Sequence, residues 1–372
     1  MPDIQTNQSN QKIQRSSGYD LLRVMAMYMV LSLHFFLYSG FYNQPMTETP
    51  IIIGGALRML CYQCVPLFLM LSGALKRKAV FSAKHYIKIM PIIVNSWVVG
   101  LIVVAYKMIF NHEHWPLFTW LKSLWMFSQP GYGWYVNLYI SLYLMMPIFN
   151  GGYQMLKSRK QKLAAVCVIA FTTTMAISVN RFTLHLSIGD TNLGFMPNSY
   201  AGLWSLAYYA AGMYIDEFKP KVNKIWCGLA VILLLLGEAV LNSVTTTDGW
   251  NQGITFNNED IVNVIISSLI FLLIYDIDIK NQIIRKILSW ISPLSMTVYL
   301  ISWIGDSIYS RKLGAEGVNG FVLTYLKIIP LHFLGCVLIS FPINWLVGKI
   351  SRSLMNPLFR LADKPKNETL PE

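Results

Sequence analysis

The sequence predicts an all-α integral membrane protein, a bundle of about ten transmembrane helices with both termini in the cytoplasm. Three observations predict it. Hydrophobic residues make up 54% of the chain and charged residues only 13%, about half the charge that a water-facing surface carries. The apolar residues gather in runs near 18–39, 51–75, 88–110, 134–150, 163–180, 200–215, 225–243, 258–275, 287–309 and 321–348. Most of these approach the ~20 residues that a helix needs to cross hydrocarbon, with 134–150 and 200–215 short. Third, with the N-terminus inside, 23 of the 30 Lys and Arg fall on the cytoplasmic side. An odd number of spans would scramble that bias.

Taken in order, residues 1–17 read as a flexible polar segment without the apolar core of a cleavable signal peptide. Residues 18–350 read as a single membrane domain, since no polar linker divides them. Residues 351–372 read as a polar cytoplasmic tail. Several prolines lie inside the apolar runs, which a membrane bundle tolerates because neighbouring helices satisfy the freed backbone groups. The connection 111–133 carries Trp115, Trp120 and Trp125 among polar residues and is expected to lie as an amphipathic or re-entrant segment at the headgroups. The net charge of +12 is dispersed in short clusters between the runs, which excludes nucleic acid as a partner and leaves membrane lipids. Cys61 and Cys64 have the spacing of a redox or zinc pair, but no second pair completes a site, so no metal is expected.

Chemistry concentrates in the first span. Asp20 and Arg23 lie one turn apart and can pair. His34 follows Arg23 by eleven residues, which puts both on one helical face within about 20° and ~16 Å apart along the axis. Ionisable groups inside a span are costly and face a cavity or a partner. A fixed cation at the cytoplasmic mouth can hold an anion such as phosphate, and a deeper imidazole can take a proton from a hydroxyl. A structural Asp–Arg pair with a hydrogen-bonded histidine accounts for the same spacing equally well.

The run GYDLLRVMAMYMVLSLH (18–34) resembles the opening of the acyltransferase-3 family of polytopic membrane acyltransferases. Four further segments are similar to that family in the expected order: VPLFLMLSGALKRK (65–78), KHYIKIMPII (84–93), WYVNLYISLYLMMP (134–147) and LSWISPLSMTVYLIS (288–302). The resemblance implies a bacterial-type membrane enzyme that moves an acyl group, with acetyl favoured, from acetyl-coenzyme A to a hydroxyl of a cell-surface or exopolysaccharide sugar. It implies a catalytic set of His34, Arg23 and Asp20, with His34 matching the family histidine. Donor binding falls to Arg23 and to Lys88 with Lys84 and His85 beside it. Lipid-linked or polymeric saccharide is the implied acceptor and the plasma membrane the implied location.

Candidates for the substrate path are Trp134, Tyr135, Glu238 and Ser302, with Asp306 and His332 as further ionisable groups inside spans. Glu238 could line the acceptor path or position and polarise His34. A hydrogen-bonded carboxyl between helices is the alternative for each acid. Two departures from the family stand out. Ser302 follows Tyr299-Leu300-Ile301 where many members carry a histidine, and Tyr132 stands where many have a histidine two residues before the Trp of the fourth span. Two non-enzyme readings stay open: a transporter or flippase for a lipid-linked saccharide, and a non-catalytic partner of a polysaccharide synthase. The first predicts repeated half-sequences, and none is visible.

Overall fold

The computed structural model describes residues 15–45, 49–129, 131–180, 187–188, 191–192, 196–197, 200–246, 249–250, 258–313 and 321–363. Its helices are α1 (Ser17–Tyr38), α2 (Thr49–Tyr62), α3 (Cys64–Lys76), α4 (Ala83–Ile87), α5 (Met90–Phe110), α6 (Leu117–Trp125) and α7 (Trp134–Met155). After these come α8 (Arg159–Asn180), α9 (Ser205–Phe218), α10 (Lys224–Thr245), α11 (Ile261–Ile274), α12 (Gln282–Ile291), α13 (Ser295–Leu313) and α14 (Phe321–Ala362). A two-residue hairpin, β1 (Ser187–Ile188) with β2 (Thr191–Asn192), is the sheet found among the described residues.

Each of the ten apolar runs contains a helix, and seven stretches among the described residues are long and apolar enough to cross a membrane. These are Ser17–Tyr38, Ile51–Lys76, Ala83–Phe110, Arg159–Asn180, Lys224–Thr245, Gln282–Arg311 and Leu323–Ala362. The other three runs give α7, in which Asn137, Asn150 and Gln154 interrupt the apolar residues, and the two shorter helices α9 and α11. The chain is therefore an all-helical bundle with at least these seven candidate spans. One segment boundary differs from the sequence reading. Residues 1–14 of the polar N-terminal segment lie outside the described residues, as do 364–372 of the tail. Between them, α14 runs unbroken past 350 to Ala362 despite Pro330, Pro342 and Pro357.

Polar caps set where several helices start. The Ser16 hydroxyl accepts from the Tyr19 amide at the head of α1, Asn223 caps α10, Asp260 caps α11 and Asn281 caps α12. The run predicted over 287–309 is broken at Ser292-Pro293-Leu294 into two helices. α12 exposes Ile283, Ile284, Ile287 and Trp290, the pattern of a helix lying along an interface rather than crossing it. The short α6 likewise exposes Leu117, Phe118, Leu121 and Trp125, while Trp120 is buried and stacks on Trp115 at 4.5 Å. The amphipathic expectation for 111–133 therefore holds in the helix that forms there.

The core sits between α1, α3, α5, α9, α13 and α14. α3 and α9 are brought backbone to backbone by two glycines: a Cβ on Gly73 would strike the Tyr209 carbonyl, and one on Gly212 the Met70 carbonyl. Such small-residue contacts maximise packing where apolar lipid offers no competing hydrophobic drive. Cys61 and Cys64 are buried and unbridged, consistent with small apolar side chains.

Candidate active site

At the far end of α1, His34 Nδ1 lies 3.0 Å from Asp306 Oδ2 of α13. The Asp306 side chain is 1% exposed and that of His34 13%, so the pair is nearly sealed yet retains an opening on the imidazole. The Tyr132 hydroxyl, from the loop before α7, donates to the same Asp306 oxygen at 2.7 Å. Its ring stacks on His34 with centroids 3.8 Å apart, and the Tyr38 hydroxyl stands 3.3 Å from its own. A second imidazole closes the group from α14: His332 Nδ1 is 3.5 Å from Asp306 Oδ1. His332 packs directly over Gly305, where a Cβ would collide with Nε2. The glycine is what lets α14 bring this ring beside the carboxylate.

The chemistry of this arrangement follows from its donors and acceptors. A carboxylate on Nδ1 favours the tautomer with the proton there and leaves Nε2 as the acceptor. It also stabilises the imidazolium that forms once Nε2 takes a proton, which is the role of the acid in acyl-transfer triads. Asp306, not Glu238, is the partner of His34. Glu238 is buried on α10, which packs against α2 and α11, so the sequence expectation for it is corrected. The signal for Asp306 was present in its position as an acid inside a span, but the pairing crosses 272 positions of sequence.

At the near end of α1 the charges are held differently. Asp20 takes a bidentate bond from Arg15, at 2.6 and 2.8 Å, and accepts from the Ser292 hydroxyl at 2.5 Å. The expected Asp20–Arg23 pair is thus corrected: the ion-pair partner is Arg15, on the extended residues before the helix. Arg23 reaches the group only through Ser292, 3.5 Å from Nη1. The break before Pro293 puts Ser292 at this junction, which no local sequence pattern announces.

Arg23 lines a cavity of about 260 Å³ between α1, α3, α7 and α13, along with Lys76, Ser292, Val30, Tyr135 and Tyr299. Lys76 stands within electrostatic reach of both Arg23 and Lys88. The inner wall is Tyr135 and Tyr299, packed edge to face at 5.8 Å. The Tyr299 hydroxyl donates to the Tyr132 carbonyl, so one tyrosine separates the cavity from the residue stacked on His34. Sequence reasoning missed Lys76, Ser292 and Tyr299, whose value lies in where the helices converge.

The remaining candidates divide. Tyr135 is buried at the cavity wall, whereas Trp134 is half exposed and is not part of the cavity lining. Ser302 is fully buried and its hydroxyl donates to the Tyr299 carbonyl within α13. His85 is buried against Tyr143, stacked at 4.3 Å, with Nε2 3.0 Å from the Tyr143 carbonyl. This makes His85 a fastening between α4 and α7. Lys84 is ion-paired with Asp363 at 2.6 Å in a half-exposed position, and Lys88 is exposed. Among the described residues no group of three or more His, Cys, Asp or Glu is placed to hold a metal ion.

A family model described as an acyltransferase domain, that of the acyltransferase-3 family, matches residues 16–345, nearly the whole chain. Neither a curated protein nor a solved structure matches.

Proposed function

The chain belongs to the acyltransferase-3 family, and from that premise we propose that it is a membrane O-acyltransferase using acetyl-coenzyme A. The acceptor is a hydroxyl of a cell-surface or exopolysaccharide sugar. In this reading the ten apolar helices all lie in the plasma membrane, with both termini cytoplasmic, as the bias of Lys and Arg favours. The near end of α1 then faces the cytoplasm, where an acyl-coenzyme A donor resides.

The observation that carries the reading is His34, held by Asp306 one tyrosine layer beyond a cavity that bears Arg23 and Lys76 at its other end. The cations suit the phosphates of the donor. The ~16 Å between Arg23 and His34 along α1 is comparable to the length of the donor's pantetheine arm. His34 Nε2 takes the proton of the acceptor hydroxyl as the oxygen attacks the thioester carbonyl. The C–S bond breaks, and the departing thiolate receives that proton, leaving the ester and free coenzyme A. Asp306 and Tyr132 hold the imidazole in the orientation this needs.

Replacing His34 with Ala tests the proposal directly. Purified variant is expected to lose about 10²–10⁴-fold in acetyl transfer, and a host making the polymer is expected to lose its acetyl content. Undiminished acetylation with normal expression of the variant would sink the assignment. The transporter and assembly-partner readings predict no His34-dependent consumption of acetyl-coenzyme A.

A further inference from the structure

Two hydrogen-bond partners at Oδ2 do not by themselves keep Asp306 ionised. Its side chain is buried inside α13, and among the described residues no Lys or Arg stands in ion-pair range of it. A carboxylate so enclosed within a span tends to take up a proton and lose its charge. A neutral Asp306 cannot support an imidazolium at His34. Tyr132 and His34 both bind Oδ2, so Oδ1 is the oxygen on which such a proton would settle.

His332 faces that oxygen. Its Nδ1 lies 3.5 Å from Oδ1, and its side chain is 8% exposed. Among the described residues neither atom has another hydrogen-bond partner, nor has the hydroxyl of Tyr309, whose ring packs edge-on to His332 at 5.6 Å. Buried polar atoms left single are costly, so Nδ1 and Oδ1 are each other's natural partner. The Ser302 backbone carbonyl is a further acceptor within reach of the ring. Nε2 is pressed against Gly305, so the ring has no route to a substrate and acts only through Asp306.

The other groups around His332 leave this control to it. Asp306 and Tyr309 come from α13, His34 and Tyr38 from α1, Tyr132 from the loop before α7, and Cys336 from α14 itself. Phenols and thiols are largely uncharged at neutral pH, which leaves one carboxylate and two imidazoles to share the protons. On α5, which also packs on α14, Lys107 is engaged by Gln129 at 2.7 Å and by the Trp303 ring at 4.6 Å. A donor on Oδ1 favours the charged carboxylate, whereas an apolar neighbour there favours the acid.

We propose that His332 is a positioning residue whose Nδ1–H holds Oδ1 of Asp306, keeping the carboxylate ionised and its Oδ2 turned to His34. The proposal rests on the acyltransferase reading above, and one of its readouts is independent of turnover. No proton is gained or lost over the cycle. The proton that His34 takes from the hydroxyl goes to the departing thiolate, and the Nδ1 hydrogen of His332 stays in place.

The test uses the full-length protein with two variants. His332→Phe keeps a ring over Gly305 but has no donor, and His332→Asn offers an amide nitrogen in place of Nδ1. His332→Phe is expected to lower kcat about tenfold, with little change in KM for acetyl-coenzyme A. The acid limb of its kcat/KM profile is expected to move up by about one pH unit or more, because a carboxylate without its donor protonates at higher pH. His332→Asn is expected to restore both. Infrared difference spectra against pH follow the protonated carboxyl band of Asp306, assigned by its absence from Asp306→Asn, and are expected to shift in the same sense. An equal loss in both variants, or an unshifted carboxyl band in folded His332→Phe, overturns the proposal. If His332→Phe does not fold, nitrogen NMR spectra of isotope-labelled histidine in the wild type decide. A hydrogen-bearing Nδ1 on His332 at neutral pH then supports the proposal, and a bare Nδ1 overturns it. A carboxyl band that shifts in a protein turning over no acyl-coenzyme A supports His332 as the residue that keeps Asp306 ionised while sinking the enzyme reading.

Discussion

The two ends of α1 carry charge in opposite ways. Around His34, a single carboxylate is shared by two imidazoles and a tyrosine hydroxyl, with no fixed cation in bonding range among the described residues. Every partner there can give up or take a proton. Around Arg23, about 16 Å away along the helix, the carboxylate Asp20 is answered by the permanently charged Arg15, and Arg23 and Lys76 face open space in the cavity. The first arrangement suits moving a proton, since its charge changes with each transfer. The second suits holding an anion, since a guanidinium keeps its charge through any reaction. One helix thus separates the proton chemistry from the electrostatic grip.

Replacing Asp306 with Asn strikes hardest at the His34 end. The amide keeps the shape but removes the charge that supports the imidazolium, and it can present a donor to Nδ1. Acyl transfer is expected to fall by about 10²-fold or more in kcat, with KM for acetyl-coenzyme A little altered. A change confined to KM would break the division between the two ends.

Tyr132→Phe sharpens the same comparison at lower cost. It retains the ring on His34 and deletes one hydrogen bond to Asp306, worth about 1–3 kcal/mol for a charged acceptor. Activity is expected to drop by roughly 5–100-fold, as steady-state kinetics on the purified variant will show. A larger loss than that of Asp306→Asn would assign the tyrosine a role beyond supporting the acid.

Lys84→Ala probes the Arg23 end and is expected to do least. Lys84 and Asp363 are both about half exposed, and such pairs contribute about 0–1 kcal/mol. Thermal stability in detergent and KM for acetyl-coenzyme A are both expected to stay near wild type. A raised KM would show that Lys84 leaves Asp363 for the donor and would extend the cationic grip beyond Arg23 and Lys76.

Much of this was legible before any coordinates. Each apolar run in the sequence contains a helix, because a segment without charge has no stable place in water and must satisfy its backbone internally. The common face of Arg23 and His34 follows from helical geometry alone. The partners did not follow. Asp20 turned from Arg23 to Arg15 because the Arg15 side chain, one residue ahead of the Ser16 cap, reaches the carboxylate with two guanidinium nitrogens. Glu238 gave way to Asp306 because α13, not α10, packs against α1. His85 was absorbed into the α4–α7 contact by stacking on Tyr143.

What the sequence by itself determined is the helical membrane bundle, the placement of ionisable groups within the runs and the family to which the chain belongs. Periodicity, hydropathy and short motifs are local or order-dependent properties, so they survive reading in one dimension. What only the tertiary structure decided is which of those groups meet. The convergence of His34, Tyr132, Asp306 and His332 joins four distant segments. It depends on crossings set by contacts such as His332 over Gly305. Side-chain chemistry supplies the candidates, but only close packing between helices can choose among them.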